Sequence, residues 1–139
     1  MQFMLLIYAQ ESVERNLPVQ DLEAIMASHF ALKDEASKRG ILLGSNPLGP
    51  TASAKTVRRG TDGRVLVTDG PFAETKEQLG GYYLLECRDI EEAVEYAKRL
   101  PTSCAANTEV VEVRPLLPIE ELIKHLRIGE VEKCRPRGA

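Results

Sequence analysis

The densest group of side chains suited to chemistry lies at residues 69–77, whose sequence is Asp-Gly-Pro-Phe-Ala-Glu-Thr-Lys-Glu. Gly70 can adopt backbone angles that are closed to other residues, and Pro71 fixes its own φ and restricts the residue before it. Asp69 can hydrogen-bond the backbone two residues further on. The pattern predicts a pre-organised turn, which serves either as part of a binding site or as a simple corner.

The same segment carries side chains that could hold a ligand. Lys76 could supply a positive charge to an anionic group, and Phe72 could cover a pocket as an apolar lid. Both have a plainer interpretation, because a charged run such as Glu74 to Glu77 is typical of a solvated turn, and Phe72 would also serve as an anchor that pins the loop to the core. Tyr82, a little further along, is a candidate for a ligand wall.

His29 is the second candidate for chemistry. At 100° per residue it falls on the same arc of its predicted helix as Leu22, Ile25, Met26 and Ala36. One interpretation is a core histidine that bonds a backbone carbonyl. The other places the imidazole at a cleft between helix and sheet, where its ordinary pKa of about 6.5 would suit proton transfer near neutrality. A carboxylate beside it would orient the ring and favour its charged form.

The elements that must position these residues follow one another as strand, helix, strand, hairpin, strand, helix and strand. Asn16 is a possible cap of the first helix, and residues 60–63 suit a hairpin turn. Gly80 and Gly81 mark a break in the chain before the fifth predicted strand. Asp89 with Glu92 resembles a capping box. We predict strands at 2–9, 41–48, 55–59, 64–68, 82–87 and 109–114, and helices at 18–39, from Asp89 to Pro101, and from Pro118.

This order is typical of an α+β, ferredoxin-like sheet with helices on one face, here with an inserted β-hairpin and a C-terminal helix. The uncovered face of such a sheet needs a partner, so we predict a homodimer. Candidates for the second apolar layer are Val57, Val65, Val67, Leu84, Val111 and Val113.

The composition and the short motifs of the chain limit the kinds of partner, location and cofactor that are expected. A formal net charge of −3 argues against nucleic acid as the main partner, because phosphate binding needs a basic face. The longest apolar run, residues 3–9, is too short to cross a membrane and lacks the features of a secretory signal, so a cytoplasmic protein is expected. Cys87, Cys104 and Cys134 form neither a disulfide framework nor a zinc motif. No nucleotide motif is present either, and no cofactor is expected.

Residues 69–77 followed by Gln-Leu-Gly-Gly-Tyr-Tyr at 78–83 resemble the signature of the DGPFAETKE family, a branch of the YCII-related proteins. Residues 3–8, 40–44 and 111–115 resemble the same family pattern. The resemblance covers about residues 1–116 and implies a ferredoxin-like domain that pairs as a dimeric α/β barrel. Residues 117–139 then form a C-terminal helix and tail extension.

The resemblance also implies site residues. In YCII-like proteins a histidine on the first helix, eleven residues before the glycine that ends it, is suspected of forming an acid–base dyad with an aspartate in a pocket. His29 and Gly40 stand at that separation, and Asp69 is the acid we select. The expected catalytic residues are therefore His29 and Asp69. The expected ligand-binding residues are Gly70, Pro71, Phe72, Lys76 and Tyr82.

Three functions remain open at this point. The first is a small-molecule enzyme or ligand-binding protein that uses the His29–Asp69 pair in a pocket. The second is a non-catalytic dimeric accessory or regulatory protein whose signature loop contacts a partner, which a solvent-facing Phe72 would favour. The third, by fold analogy alone, is a cofactor-poor oxygenase or haem-binding relative.

Overall fold

A computed structural model of the chain describes residues 1–101 and 110–125. Over these residues the protein is a mixed α+β structure with six strands and four helices, and a single 3-10 turn at Thr51–Ser53 lies before the third strand. In chain order the elements are β1 (Gln2–Ala9), α1 (Glu11–Glu14), α2 (Val19–Lys38), β2 (Leu42–Pro47), β3 (Lys55–Arg59), β4 (Val65–Asp69), β5 (Gln78–Glu86), α3 (Ile90–Lys98), β6 (Val110–Pro115) and α4 (Ile119–His125).

The larger sheet has four antiparallel strands in the order β2-β5-β1-β6. The apolar strand β1 has a neighbour on each edge, which satisfies its backbone groups, and its residues Phe3, Leu5 and Ala9 are buried. This strand order is compatible with a ferredoxin-like fold, and the predicted α+β class is confirmed. Among the described helices none is long and apolar enough to cross a membrane.

One face of the sheet packs on the helices α2 and α3 and forms the core. Alternate residues of β1 and β5 point to this face, since successive side chains of a strand lie on opposite sides. The buried cluster contains Phe3, Leu5, Leu32, Ala36, Tyr83, Leu85, Cys87, Ala93, Tyr96 and Leu100. Val111 and Val113 pack against this cluster, so their assignment to a second apolar layer was wrong. Leu84 has the opposite orientation in β5 and is half-buried.

Strands β3 and β4 pair with each other in a separate two-stranded sheet, with Val57 opposite Val67. The turn between them uses Gly63 at a φ of 82°, a conformation that favours glycine. Most side chains of both strands are exposed, including the three valines of one face.

Several local predictions need correction. β5 begins at Gln78 and runs through Gly80 and Gly81, so the prediction that these glycines precede the strand was wrong. The helix α1 was not predicted at all. Asn16 does not cap α2, because the N-cap position is Pro18 and the Asn16 amide donates to the Ser12 carbonyl instead.

The capping prediction at α3 is confirmed, since the Asp89 carboxylate accepts a hydrogen bond from the Glu92 backbone N–H at 2.9 Å. The Glu92 carboxylate reaches back to the backbone N–H of Arg88 at 2.8 Å. Of the cysteines, Cys87 is buried as expected. Cys104, Cys134 and the tail after residue 125 lie outside the described residues.

Candidate functional site

A cavity of about 340 Å³ opens between α2, the segment around α1, and the strands β2 and β5. Its volume lies within the range of about 300–1,000 Å³ that is usual for small-molecule pockets. Most of the wall is apolar, and polar groups are few. The apolar lining includes Ile7, Leu17, Ile25, Met26, Pro47 and Leu48.

His29 and Tyr83 form the central polar contact of this cavity. The Nδ1 atom of His29 lies 2.9 Å from the hydroxyl oxygen of Tyr83. The two rings are stacked, with centroids 6.0 Å apart and an angle of 17° between their planes. His29 projects from α2 and Tyr83 from β5, so the pair joins helix to sheet at the cavity wall.

Burial sets the protonation of both groups. It lowers the pKa of His29 from its ordinary 6.5, because the imidazolium loses contact with water. Burial also raises the pKa of Tyr83, so the phenol keeps its proton. Two neutral groups that can each donate and accept a hydrogen bond therefore face one another near neutral pH.

The rim of the cavity carries two charged side chains. Glu14 comes from α1, and its pKa is raised first by burial and then by the nearby Glu11 carboxylate. Lys33 comes from α2, one turn after His29, and is exposed. Asn46 adds an amide on the β2 side, where it donates to the Tyr82 hydroxyl at 3.2 Å.

Two glycines of β5 shape the floor of the cavity. A Cβ at Gly81 would lie 3.0 Å from the Asn46 carbonyl oxygen and 3.4 Å from Pro47 Cα, so a side chain here would push the backbone of β2 away by a few tenths of an ångström. Gly80 is the extra residue of a bulge, because Ile7 pairs with Gly81 while the next residue of β1 pairs with Leu79. The bulge explains why these glycines lie inside a strand next to a pocket, since bulges re-aim strands beside functional sites.

The wall formed by α1 is fastened to two other segments. The Glu11 carboxylate accepts hydrogen bonds from the backbone N–H and the hydroxyl of Thr51, at 2.7 and 2.8 Å. The Gln78 side chain accepts from the Glu11 backbone N–H at 3.0 Å and donates to the Thr75 carbonyl at 2.5 Å. Gln78 thereby links the end of the 69–77 segment to the helix that borders the cavity.

Comparison with known proteins decides the family. A family model of the YCII-related domain matches residues 1–118. The chain belongs to the YCII-related family. The uncharacterized protein R00369 of Rhizobium meliloti (strain 1021) is 38% identical over 116 residues, which are 84% of this chain and 92% of that protein. The YCII-related assignment made from the sequence is confirmed.

In this YCII-related protein the structure does not bring Asp69 to His29. Asp69 ends β4 in the two-stranded sheet, its side chain is exposed, and its carboxylate pairs with Lys55. It is not among the residues that line the cavity. The two residues expected to form the dyad therefore occupy different parts of the molecule, because the 69–77 segment stays with the hairpin.

The remaining predicted ligand-binding residues divide in the same way. Tyr82 lines the cavity, whereas Gly70, Pro71, Phe72 and Lys76 do not. Gly70 has a φ of 92°. Its N–H donates to the carbonyl of Ala54, the residue before β3, and its carbonyl accepts from the Thr56 hydroxyl in β3. Phe72 is 75% exposed, and its carbonyl accepts from the Arg58 guanidinium at 2.9 Å. Their roles in binding stay predictions.

Sequence reasoning missed Tyr83, as well as Glu14, Lys33 and Asn46 on the cavity wall. A usable signal was present, because Tyr83 alternates in phase with Leu85 and so points to the helix-covered face of the sheet. His29 was already expected to face that surface. Over the described part of the chain, no cluster of histidine, cysteine and acidic residues suited to a metal ion is found.

Proposed function

We propose that this YCII-related protein binds a small organic molecule in the cavity and exchanges a proton with it through His29. The observation that carries the proposal is the 2.9 Å contact between His29 Nδ1 and the Tyr83 hydroxyl inside a largely apolar cavity of about 340 Å³. Tyr83 takes the partner position for which Asp69 was expected.

A tyrosine partner supports different chemistry from a carboxylate. When the hydroxyl donates to Nδ1, the opposite nitrogen Nε2 carries the proton and acts as an acid. When Nδ1–H donates to the hydroxyl, Nε2 is free to accept a proton. A carboxylate would favour the charged ring, whereas burial favours the neutral one. The pair is therefore suited to a base that is ready at neutral pH.

The test begins with a thermal-shift screen of small organic compounds on the wild-type protein. Each compound that binds is then incubated with protein in deuterium oxide, and NMR follows the exchange of its carbon-bound protons. We expect exchange with wild type and with Asp69→Asn, and a rate lower by about a hundredfold or more in His29→Gln, the usual scale for losing a general base. Unchanged exchange in His29→Gln, or its loss in Asp69→Asn, would contradict the proposal.

A second candidate function is a protein-contact surface on the hairpin and signature loop, with a second copy of the chain as the partner. Phe72 is 75% exposed, and Val57 and Val67 are 63% and 59% exposed on one face of β3 and β4. An isolated two-stranded ribbon is marginally stable in water, so a partner that covers this face would stabilise it. Sedimentation velocity at micromolar concentration tests the homodimer, and only monomer would contradict it.

A further inference from the structure

We infer that the ligand of the cavity is an amphipathic organic anion, with its apolar body along α2 and its anionic group at Lys33. The inference rests on the proposed function of the cavity and names the class of compound that it takes. It depends on two features of the rim, one apolar and one charged.

The apolar feature is a row of exposed side chains on α2 that leads into the cavity. Leu22, Met26 and Phe30 follow at intervals of four residues, so they lie one above another on the helix. Met26 and Phe30 are 46% and 62% exposed although both line the cavity. Leu48 faces the same space from the end of β2 and is also exposed. The binding surface for apolar groups therefore extends from the cavity out onto the rim.

The charged feature is Lys33, which lies on α2 directly after this row. It makes no ion pair with any residue that the structure describes. Its acidic neighbours are already engaged, because Asp34 pairs with Lys38 and Glu35 pairs with Arg99. An uncommitted ammonium group at the end of an apolar surface matches a ligand with an apolar body and an anionic end.

Glu14 lines the same cavity and opposes an anion when it is ionised. Burial, followed by the Glu11 carboxylate, raises the pKa of Glu14, so this carboxyl takes up a proton more readily than an exposed one. Lys33 attracts an anion, whereas an ionised Glu14 repels it. The two residues therefore make opposite and testable contributions to the affinity for an anion.

Two fluorescent probes with nearly the same aromatic body separate the charge from the apolar contact. Anilinonaphthalene sulfonate carries an anionic group, and phenylnaphthylamine does not. Both are titrated into wild type, Lys33→Met, Glu14→Gln and Lys124→Met at low salt. Lys124→Met is the matched control, because Lys124 is an exposed lysine of α4 outside the cavity lining.

We expect Lys33→Met to weaken sulfonate binding by about threefold, the scale of one exposed ion pair. Glu14→Gln should strengthen it, and Lys124→Met should leave it unchanged. Phenylnaphthylamine should bind all four proteins equally. If Lys33→Met binds the sulfonate as wild type does, or if Glu14→Gln weakens it, the inference is overturned while the cavity remains a binding site. If neither probe binds wild type, the proposed function itself fails.

Discussion

The imidazole of His29 and the phenol of Tyr83 stack across the boundary between α2 and β5 and share a 2.9 Å hydrogen bond. This contact places a neutral proton-accepting group at the wall of a cavity large enough for a small organic molecule. It also ties a helix to the sheet, so substitutions in the pair should affect stability as well as chemistry.

The pH dependence of stability should reveal the lowered pKa of His29. Burial lowers this pKa in the folded protein below 6.5, so as the pH falls the unfolded chain takes up the proton first. The neutral ring therefore contributes stability above about pH 6.5, and this contribution is lost as the pH falls from there toward the folded pKa. Urea unfolding of wild type and His29→Gln between about pH 7.5 and about pH 5 measures the difference. The free energy of unfolding of wild type should decrease relative to that of His29→Gln as the pH falls. If the two free energies change with pH in parallel, the pKa of His29 is unchanged by folding.

Removal of the Tyr83 hydroxyl should destabilise the protein. Tyr83→Phe leaves Nδ1 of the half-buried His29 without its partner, at an expected cost of about 1–3 kcal/mol in the free energy of unfolding. Tyr82→Phe is the matched control, because its hydroxyl bonds Asn46 at the surface and its loss should cost less than about 0.5 kcal/mol. Equal effects of the two substitutions in urea unfolding would argue against the special role of Tyr83.

The sequence predicted helices and strands correctly where the apolar periodicity agreed with the residues that end each element. The apolar run of β1 and the long amphipathic α2, stopped by Gly40 at a φ of 70°, were placed within about one or two residues of their bounds, the usual uncertainty of helix and strand ends. The start of β5 was missed because glycine weakens a strand interior, so two successive glycines favour a break in the strand. Here Gly80 and Gly81 serve tertiary contacts, a bulge against β1 and the close approach of β2, which a local pattern does not encode.

The close approach at Gly81 predicts a strong effect of a single methyl group. In Gly81→Ala the new Cβ would meet backbone atoms of Asn46 and Pro47, which cannot move aside as a side chain can. We expect a loss of about 1–3 kcal/mol in the free energy of unfolding. Gly44→Ala in β2 is the control, because nothing lies within 4 Å of its Cβ position and stability should be unchanged or raised by about 0.5 kcal/mol. Similar losses in both variants would contradict this account of Gly81.

The exposed face of the hairpin predicts where a charge should disturb self-association. Val67 lies opposite Val57, while the next residue, Thr68, points to the other face. Val67→Lys should raise the dimer dissociation constant at least about tenfold, because desolvation of an unpaired charge costs several kcal/mol. Thr68→Lys should leave it nearly unchanged. Sedimentation equilibrium on both variants decides the matter, and equal dissociation constants would exclude this face from the contact.

For the candidate site, the sequence predicted the placement of His29 but not the partner of its imidazole. The position of His29 on the sheet-facing side of α2 followed from helical periodicity, and its lowered pKa agrees with that placement. The choice of Asp69 relied on where the hairpin would deliver the 69–77 segment. That orientation depends on local bonds, such as the Lys55–Asp69 ion pair and the contact of the Thr56 hydroxyl with Gly70 O, which hold the segment against β3.

A cavity-filling variant separates binding in the cavity from adhesion to the surface. Met26→Trp should weaken phenylnaphthylamine binding at least about fivefold, because the larger side chain occupies space that the probe needs. Leu43→Trp is the matched control: Leu43 is 47% exposed, close to the 46% of Met26, and does not line the cavity. Equal weakening in both variants would place the probe elsewhere.

The most direct test of the central claim follows the imidazole resonances of His29 by NMR during a titration with phenylnaphthylamine. The chain has two histidines, so His29→Gln assigns the signals at once. If the cavity beside the His29–Tyr83 pair is the binding site, the His29 resonances shift and saturate together with the probe fluorescence. Saturation of the fluorescence with the His29 resonances unmoved would contradict the claim.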